Sequence, residues 1–216
     1  MFEIMSGHFE NVSESRFFAD LDEKDVVVVM TDVPQGELRG FSTIGRLTAV
    51  VDGEPVLALF AGDTVIEPEF WGESAWLSVW AQYAFSQADR VAPTPLYWLL
   101  CTATHRSYRL LAGIFREYYP RHDRPTPAAA QARLDALATA KFGQEYDSAR
   151  GIISLVEQTP VRPERLDPAT EERDAPEVRF FKTKNPDYAR GDFLACISVF
   201  SRDDLSALGR RLVEGH

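Results

Sequence analysis

The residues best suited to chemistry are a carboxylate and an imidazole, each following an apolar run. Gly62-Asp63-Thr64 ends LALFAGDT, residues 57–64, and Thr104-His105 ends LYWLLCTATH, residues 96–105. An aspartate so placed can accept a proton, orient an imidazole or cap a turn, and the sequence leaves all three open. The glycine before it lets the backbone turn or a ligand approach closely. His105 can act as a general base near neutral pH or can simply satisfy local backbone groups. Tyr108 and Tyr119 add phenols as candidate acids. Arg106, Arg109, Arg116, Arg121 and Arg124 crowd into HRSYRLLAGIFREYYPRHDR, residues 105–124. Guanidinium forks suit phosphate or carboxylate ligands, or pairing with the chain's own acids.

Asp63 and His105 converge only if their strands lie side by side and run in the same direction. Trp71, Ala75, Trp76, Val79, Trp80, Tyr83 and Ala84 recur at helical spacing between the two runs, predicting a helix near 72–88 that Pro93 and Pro95 close. Strand, helix and strand then form a crossover unit, which makes the strands parallel and brings their carboxyl ends to one sheet edge, where open α/β sheets hold ligands. The other tryptophans and Trp98 read as core, while Trp71 at the helix start can border a pocket.

Around this unit, SESRFFADLDEKD predicts a first helix and VVVVM a buried strand. RLTAVV and PVLALFA flank Asp52-Gly53, a hairpin turn joining antiparallel strands. Residues 105–118 predict a helix, and Thr126 and Pro127 begin another that Gly143 ends. The proline-rich stretch from 159 to 176 reads as a surface loop. VRFFKT and FLACISVF read as strands, and Ser201, Asp203 and Asp204 as the start of a last helix.

The chain of 216 residues is long enough to bury one substantial core and reads as one domain. Its net charge of −10 argues against nucleic acid and anionic membrane as partners. No apolar run approaches a membrane span, and MFEIMSGHFENVSES lacks the basic and apolar parts of a signal peptide, so the expected compartment is the cytoplasm. Cys101 and Cys196 sit in apolar runs as inert thiols. His8, His105, His122 and His216 show no zinc-ligand spacing, and no metal is expected. Ser42 in GFSTIG lacks the spacing of a nucleophile elbow, and no phosphate-binding glycine fingerprint is present.

The order of elements, with PVLALFAGDT leading through WGESAW to LYWLLCT, resembles the GNAT-type N-acyltransferase superfamily. YWLLCTATHRSYRLLAGIFREYYPRHDRPTP, with GDTVI and FGQEYD, is also similar to an uncharacterised bacterial group of that type. The resemblance implies a single α/β domain over 1–216: a mixed, mostly antiparallel twisted sheet with a central parallel strand pair, flanking helices, an extra helix near 126–142 and a surface loop near 159–176. It implies that Ala61 and Gly62 line the channel of an acyl thioester, and that amides at Gly72, Glu73 and Ser74 face the phosphates of the donor. The superfamily's glutamine or arginine with its glycine-spaced loop is replaced here by Glu67, Pro68, Glu69 and Phe70. An acyl-carrier protein, whose phosphopantetheine carries no nucleotide, therefore stands beside acyl-CoA as donor.

The expected reaction is acyl transfer to the amine of a small molecule. Asp63 or His105 would be the base and Tyr108 or Tyr119 the acid, with Thr64, Trp71, Thr104, Arg106, Arg109, Arg116 and Tyr119 around the substrates. The alternative is a non-catalytic module of the same fold that binds a ligand or protein. The sequence leaves the oligomeric state open.

Overall fold

The computed structural model describes residues 1–33, 35–71, 73, 75–165 and 175–214. The Asp52-Gly53 turn has φ of 52° and 82°, as a two-residue hairpin requires. It joins β2 (Leu38–Val51) to β3 (Glu54–Ile66) in antiparallel register. Both strands run well past the segments that periodicity predicts. In particular, Gly62-Asp63-Thr64 does not leave β3, because Thr64, Val65 and Ile66 stay paired with Ser42, Phe41 and Gly40.

Helix α3 (Ala75–Val91) crosses from β3 to β4 (Leu96–Thr102), and these two strands pair in parallel from Leu57 opposite Leu96 to Ala61 opposite Leu100. The other pairings are antiparallel. With β1 (Val26–Thr31), β5 (Tyr118–Tyr119), β6 (Tyr146–Asp147), β7 (Ile152–Ile153) and β8 (Phe193–Val199), the described residues form a sheet ordered β1-β2-β3-β4-β8-β7-β6, with β5 also on β8. This is the mixed, mostly antiparallel arrangement with one central parallel pair that the resemblance implies.

Strand alternation sends side chains to two separate cores. Ile44, Leu59, Trp98 and Leu100 pack on one face against Trp80, Ala84 and Phe85 of α3, and Tyr108 and Leu111 of α4 (His105–Ile114). Val56, Ala58, Leu99 and Ala195 pack on the other against Leu134, Leu137 and Ala138 of α5 (Ala128–Phe142). Full burial of leucines such as Leu99, Leu111 and Leu137 stabilises by roughly 1.5–3 kcal/mol each. A smaller cluster on this second face joins Phe41 and Val65 of the sheet to Met5 of α1 (Phe2–His8) and Phe17 of α2 (Glu14–Asp22).

Several expectations are corrected. VVVVM is an edge strand rather than a buried one, paired only with β2, and Val29 on its open face is 55 % exposed. VRFFKT lies within α6 (Pro176–Lys184), not a strand: Pro176 starts the helix, and Val178 and Phe181, three residues apart, form its buried side. The helix at 105 stops at Ile114, because Phe115 turns to extended backbone ahead of β5. Pro127, not Thr126, is the N-cap of α5, and it has no side-chain cap bond. The last helix, α7 (Ala207–Glu214), begins after Ser206, whose hydroxyl accepts from the Gly209 amide at 3.0 Å. Helix α1 is additional to the sequence reading. In the stretch 159–176, Val161 bridges to Phe9 and Pro163–Arg165 forms a short 3-10 turn, while 166–174 lie outside the described residues. Among the described residues no helix is long and apolar enough to cross a membrane.

Candidate functional site

The β3–β4 ladder ends at Ala61 and Leu100. Beyond it β3 follows β2 towards Ile66, while Cys101 and Thr102 follow β8 through Ala195 and Leu194. The parallel pair thus opens into a gap at its carboxyl ends. At the same point β3 carries a bulge, since Ile44 pairs with Ala61 but Ser42 pairs with Thr64, so β3 has an extra residue at Gly62-Asp63. A bulge re-aims side chains and sharpens local twist. Here Asp63 faces the α2 and α5 side of the sheet, while Thr64 is exposed, its hydroxyl 2.7 Å from that of Ser42.

Asp63 lines a cavity of about 370 Å³. The floor is Phe60 to Asp63 with Cys101 of β4 and Phe193 of β8; α1 and α2 form one wall, and Lys141 and Phe142 at the end of α5 another. Burial pushes the Asp63 carboxyl from its ordinary 3.8 up to about 6; nearby Asp20 pushes the same way, and Lys24 and Lys141 oppose them. Such a carboxyl is poised to exchange protons near neutrality. Gly62 makes room for this arrangement. A side-chain carbon there would come 2.4 Å from Thr43 Oγ1 and 2.6 Å from Lys24 Cε, so the absence of a side chain is what lets the buried lysine lie over the bulge. Lys24 Nζ donates to the Asp20 carbonyl at 2.9 Å and is ion-paired with the Asp20 carboxylate.

His105 does not line this cavity. It lies on the α3 and α4 face, 3 % exposed, with its ring edge-on to Phe181 at 6.2 Å. Tyr108 is wholly buried on the same face against Phe180 and Phe181, and its hydroxyl donates to the Pro120 carbonyl at 3.0 Å. Burial raises the Tyr108 phenol well above its ordinary value, aided by Cys196 and Tyr118. The Tyr119 hydroxyl donates to Glu117 at 2.8 Å. Thr104 is the N-cap of α4, accepting from the Ser107 amide at 3.3 Å.

The arginines disperse rather than cluster. Arg116 donates to the Leu205 carbonyl at 3.1 Å, Arg121 pairs with Asp123, and Arg124 pairs with Glu117 at 3.0 Å. Arg106 goes elsewhere: its guanidinium lies 4.0 Å from the Trp71 ring centre and donates to the Trp71 carbonyl at 3.1 Å. Arg109 is half-buried on the same helix. Trp71 Nε1 in turn donates to the Ile66 carbonyl at 2.7 Å, and His8 Nε2 lies 3.0 Å from that same oxygen. His8 Nδ1 faces the Ile4 carbonyl at 2.9 Å.

The donor phosphates are a poorer match than the gap. Gly72 and Ser74 lie outside the described residues, and the Glu73 amide already donates to the Phe70 carbonyl at 3.0 Å. Glu69 and Glu73 are exposed, and Glu67 pairs with Arg39 at 3.3 Å. Acidic groups of this kind repel pyrophosphate, and the cations beside them are Arg39, paired with Glu67, and Arg106, stacked on Trp71. The gap itself is bounded by two backbone edges, those of β3 and β4.

Asp63 and Gly62, which the sequence reading names, line this cavity, whereas Lys24, Asp20, Glu23 and Lys141 around them are not named by it. These come from α2, its following turn and α5. Asp20, Glu23 and Lys24 fall in the charged run ADLDEKD, whereas Lys141 carries no such signal.

No protein-family model and no curated protein matches the chain. Among solved structures it is similar to a GNAT family N-acetyltransferase from Escherichia coli in complex with CoA, at 15% identity and TM-score 0.39, over 52% of this chain and 60% of that one. It is similar also to a GCN5-related N-acetyltransferase from Kribbella flavida, at 12% identity and TM-score 0.38, over 94% and 61%. An acetyltransferase from Trypanosoma brucei aligns at 16% identity and TM-score 0.34, over 54% and 79%. The chain spans about 60% of the length of the Escherichia coli protein. At such identities and TM-scores these likenesses carry no weight for function, which rests on the geometry of this chain.

Proposed function

We propose that the protein transfers an acyl group from a thioester to the amine of a small molecule, with Asp63 as the base. The observation that carries this reading is the coincidence of the gap, the bulge and the cavity: one residue of β3 sets a carboxylate with a raised pKa at the point where a parallel strand pair parts. The thioester arm would enter from the α3 and α4 side, past Thr64, Trp71 and Arg106, and the amine would occupy the cavity on the α2 and α5 side.

In the reaction Asp63 takes one proton from the ammonium of the acceptor. The neutral nitrogen forms a C–N bond to the acyl carbon as the C–S bond breaks, and the second proton goes to the departing thiolate. Backbone amides along the splayed edges are the donors available to the acyl oxygen. Protonated Asp63 returns its proton to water. The donor is acyl-CoA or the phosphopantetheine thioester of a carrier protein. The acidic residues Glu69 and Glu73 favour the donor that lacks a nucleotide.

The same acidic residues support a second reading, a binding module without catalysis. An assay with acetyl-CoA and with an acylated carrier separates the two. Turnover that disappears in Asp63→Asn supports transfer; no turnover and no thermal shift with either thioester overturns it, since a ligand at a hundredfold its Kd stabilises by ~2.7 kcal/mol.

A further inference from the structure

Resting on the reading of the cavity as the acceptor side, we infer that it takes a monoamine with a compact apolar or aromatic body and no carboxylate. The walls supply the body's contacts: Phe9, Phe17, Phe60, Phe142, Leu155 and Phe193 line the space, and about 370 Å³ is the size of a small-ligand site.

The charges supply the rest. Each lining cation is already committed to an acid of the protein: Lys141 pairs with Glu23 at 2.6 Å, and Arg16 with Glu157 at 3.0 Å. Lys24, buried behind Gly62, is held by Asp20. Glu145, a lining carboxylate, accepts from the Val156 amide at 2.8 Å. Among the described residues none donates a hydrogen bond to Asp63. The cavity therefore presents at its floor a carboxylate that no described residue hydrogen-bonds or ion-pairs, within a largely aromatic wall. A monocation neutralises it, and the aromatic faces add cation–π attraction.

An amino acid fits worse on the same grounds. Its carboxylate would have to displace Glu23 from Lys141 or Glu157 from Arg16, or lie unpaired near Asp20, Glu23 and Glu145. A second ammonium on a diamine would find Asp20 and Glu23 already paired with lysines and Glu145 already accepting from the Val156 amide.

The test measures binding first and transfer second. Wild-type protein is titrated by NMR with 2-phenylethylamine, phenylalanine, 1,4-diaminobutane and the uncharged 2-phenylethanol. Turnover of each amine is then followed with acetyl-CoA and with an acetylated carrier. The inference expects 2-phenylethylamine to bind more tightly than phenylalanine by at least about tenfold, the equivalent of 1.4 kcal/mol. Asp63→Asn should erase the preference for 2-phenylethylamine over 2-phenylethanol while leaving 2-phenylethanol binding intact. Retained alcohol binding shows that the variant folds, and Phe142→Leu provides a second, charge-neutral probe that should weaken both. Tighter binding of phenylalanine or the diamine, or no saturable binding of any of the amines, overturns the inference. Binding of the monoamine without turnover by either thioester leaves it standing and removes the transferase reading; turnover of amino acids alone does the reverse.

Discussion

The two faces of the sheet treat their ionisable groups in opposite ways. On the α3 and α4 face, His105 and Tyr108 are sealed among Phe180 and Phe181, and the tyrosine hydroxyl is occupied by the Pro120 carbonyl. On the α2 and α5 face, Asp63 borders an open space and has its pKa lifted to about 6. Both sets come after the stretch where β3 and β4 pair in parallel, so position along the chain does not separate them. The side of the sheet does, and for Asp63 that side is set by the bulge. The lesson is that an edge assignment locates a site only to within two chambers.

The largest expected effect breaks the comparison on the open face. Asp63→Asn should lower acyl-transfer turnover by about 10²–10⁴-fold with the fold intact by circular dichroism. Because burial raises this carboxyl, its ionisation works against folding: the penalty is absent below pH 3.8 and complete above about pH 6. Asp63→Asn should therefore melt at the same temperature as wild type at pH 3.5 and no lower at pH 7. Turnover of wild type should rise with pH through about 6, as the base loses its proton, and that inflection should vanish in the variant.

Next comes the notch beneath the bulge. Gly62→Val drives new atoms into Thr43 and Lys24 and should destabilise by about 1–3 kcal/mol in urea unfolding. Ordinary stability in that variant would mean that Lys24 does not lie over Gly62.

The closed face should respond more weakly. Tyr108→Phe leaves the Pro120 carbonyl without its donor, an expected loss of about 1 kcal/mol in the same unfolding experiment. A loss of turnover far beyond that change would give the phenol the role of acid and erase the contrast between faces. The smallest effect is Lys141→Met. Removing a charge that lowers the Asp63 pKa should move the pH inflection upward by less than about one unit, whereas a downward shift would contradict the proposed neighbourhood.

Much of the frame was legible because local chemistry fixes it. Asp52-Gly53 demanded a hairpin, the apolar runs at Leu57–Ala61 and Leu96–Thr102 with a helix between them gave the parallel pair, and Gly143 ended α5 with its positive φ. The local pattern misleads where burial on one side decides the element. VRFFKT has β-favouring residues, yet Pro176 before it and the Val178–Phe181 spacing were the helical signals that win once α6 packs on α4. VVVVM reads as core but lies at an edge, which no local property of four valines reveals. Within the site, Asp63 stood out as a polar residue ending an apolar run, whereas Lys24 and Lys141 reach it from helices far away in sequence. Only the tertiary fold unites them.

One acceptor atom has a wider reach than its own strand. The Ile66 carbonyl receives Trp71 from the crossover loop at 2.7 Å and sits 3.0 Å from His8 of the first helix. It is a shared pin between the loop ahead of α3, where the proposed donor would enter, and α1, which walls the cavity. A ligand that swings the indole off this pin changes what holds that wall, and thermodynamic linkage makes any such influence mutual, measurable as equal ratios of affinities when each ligand is titrated with and without the other.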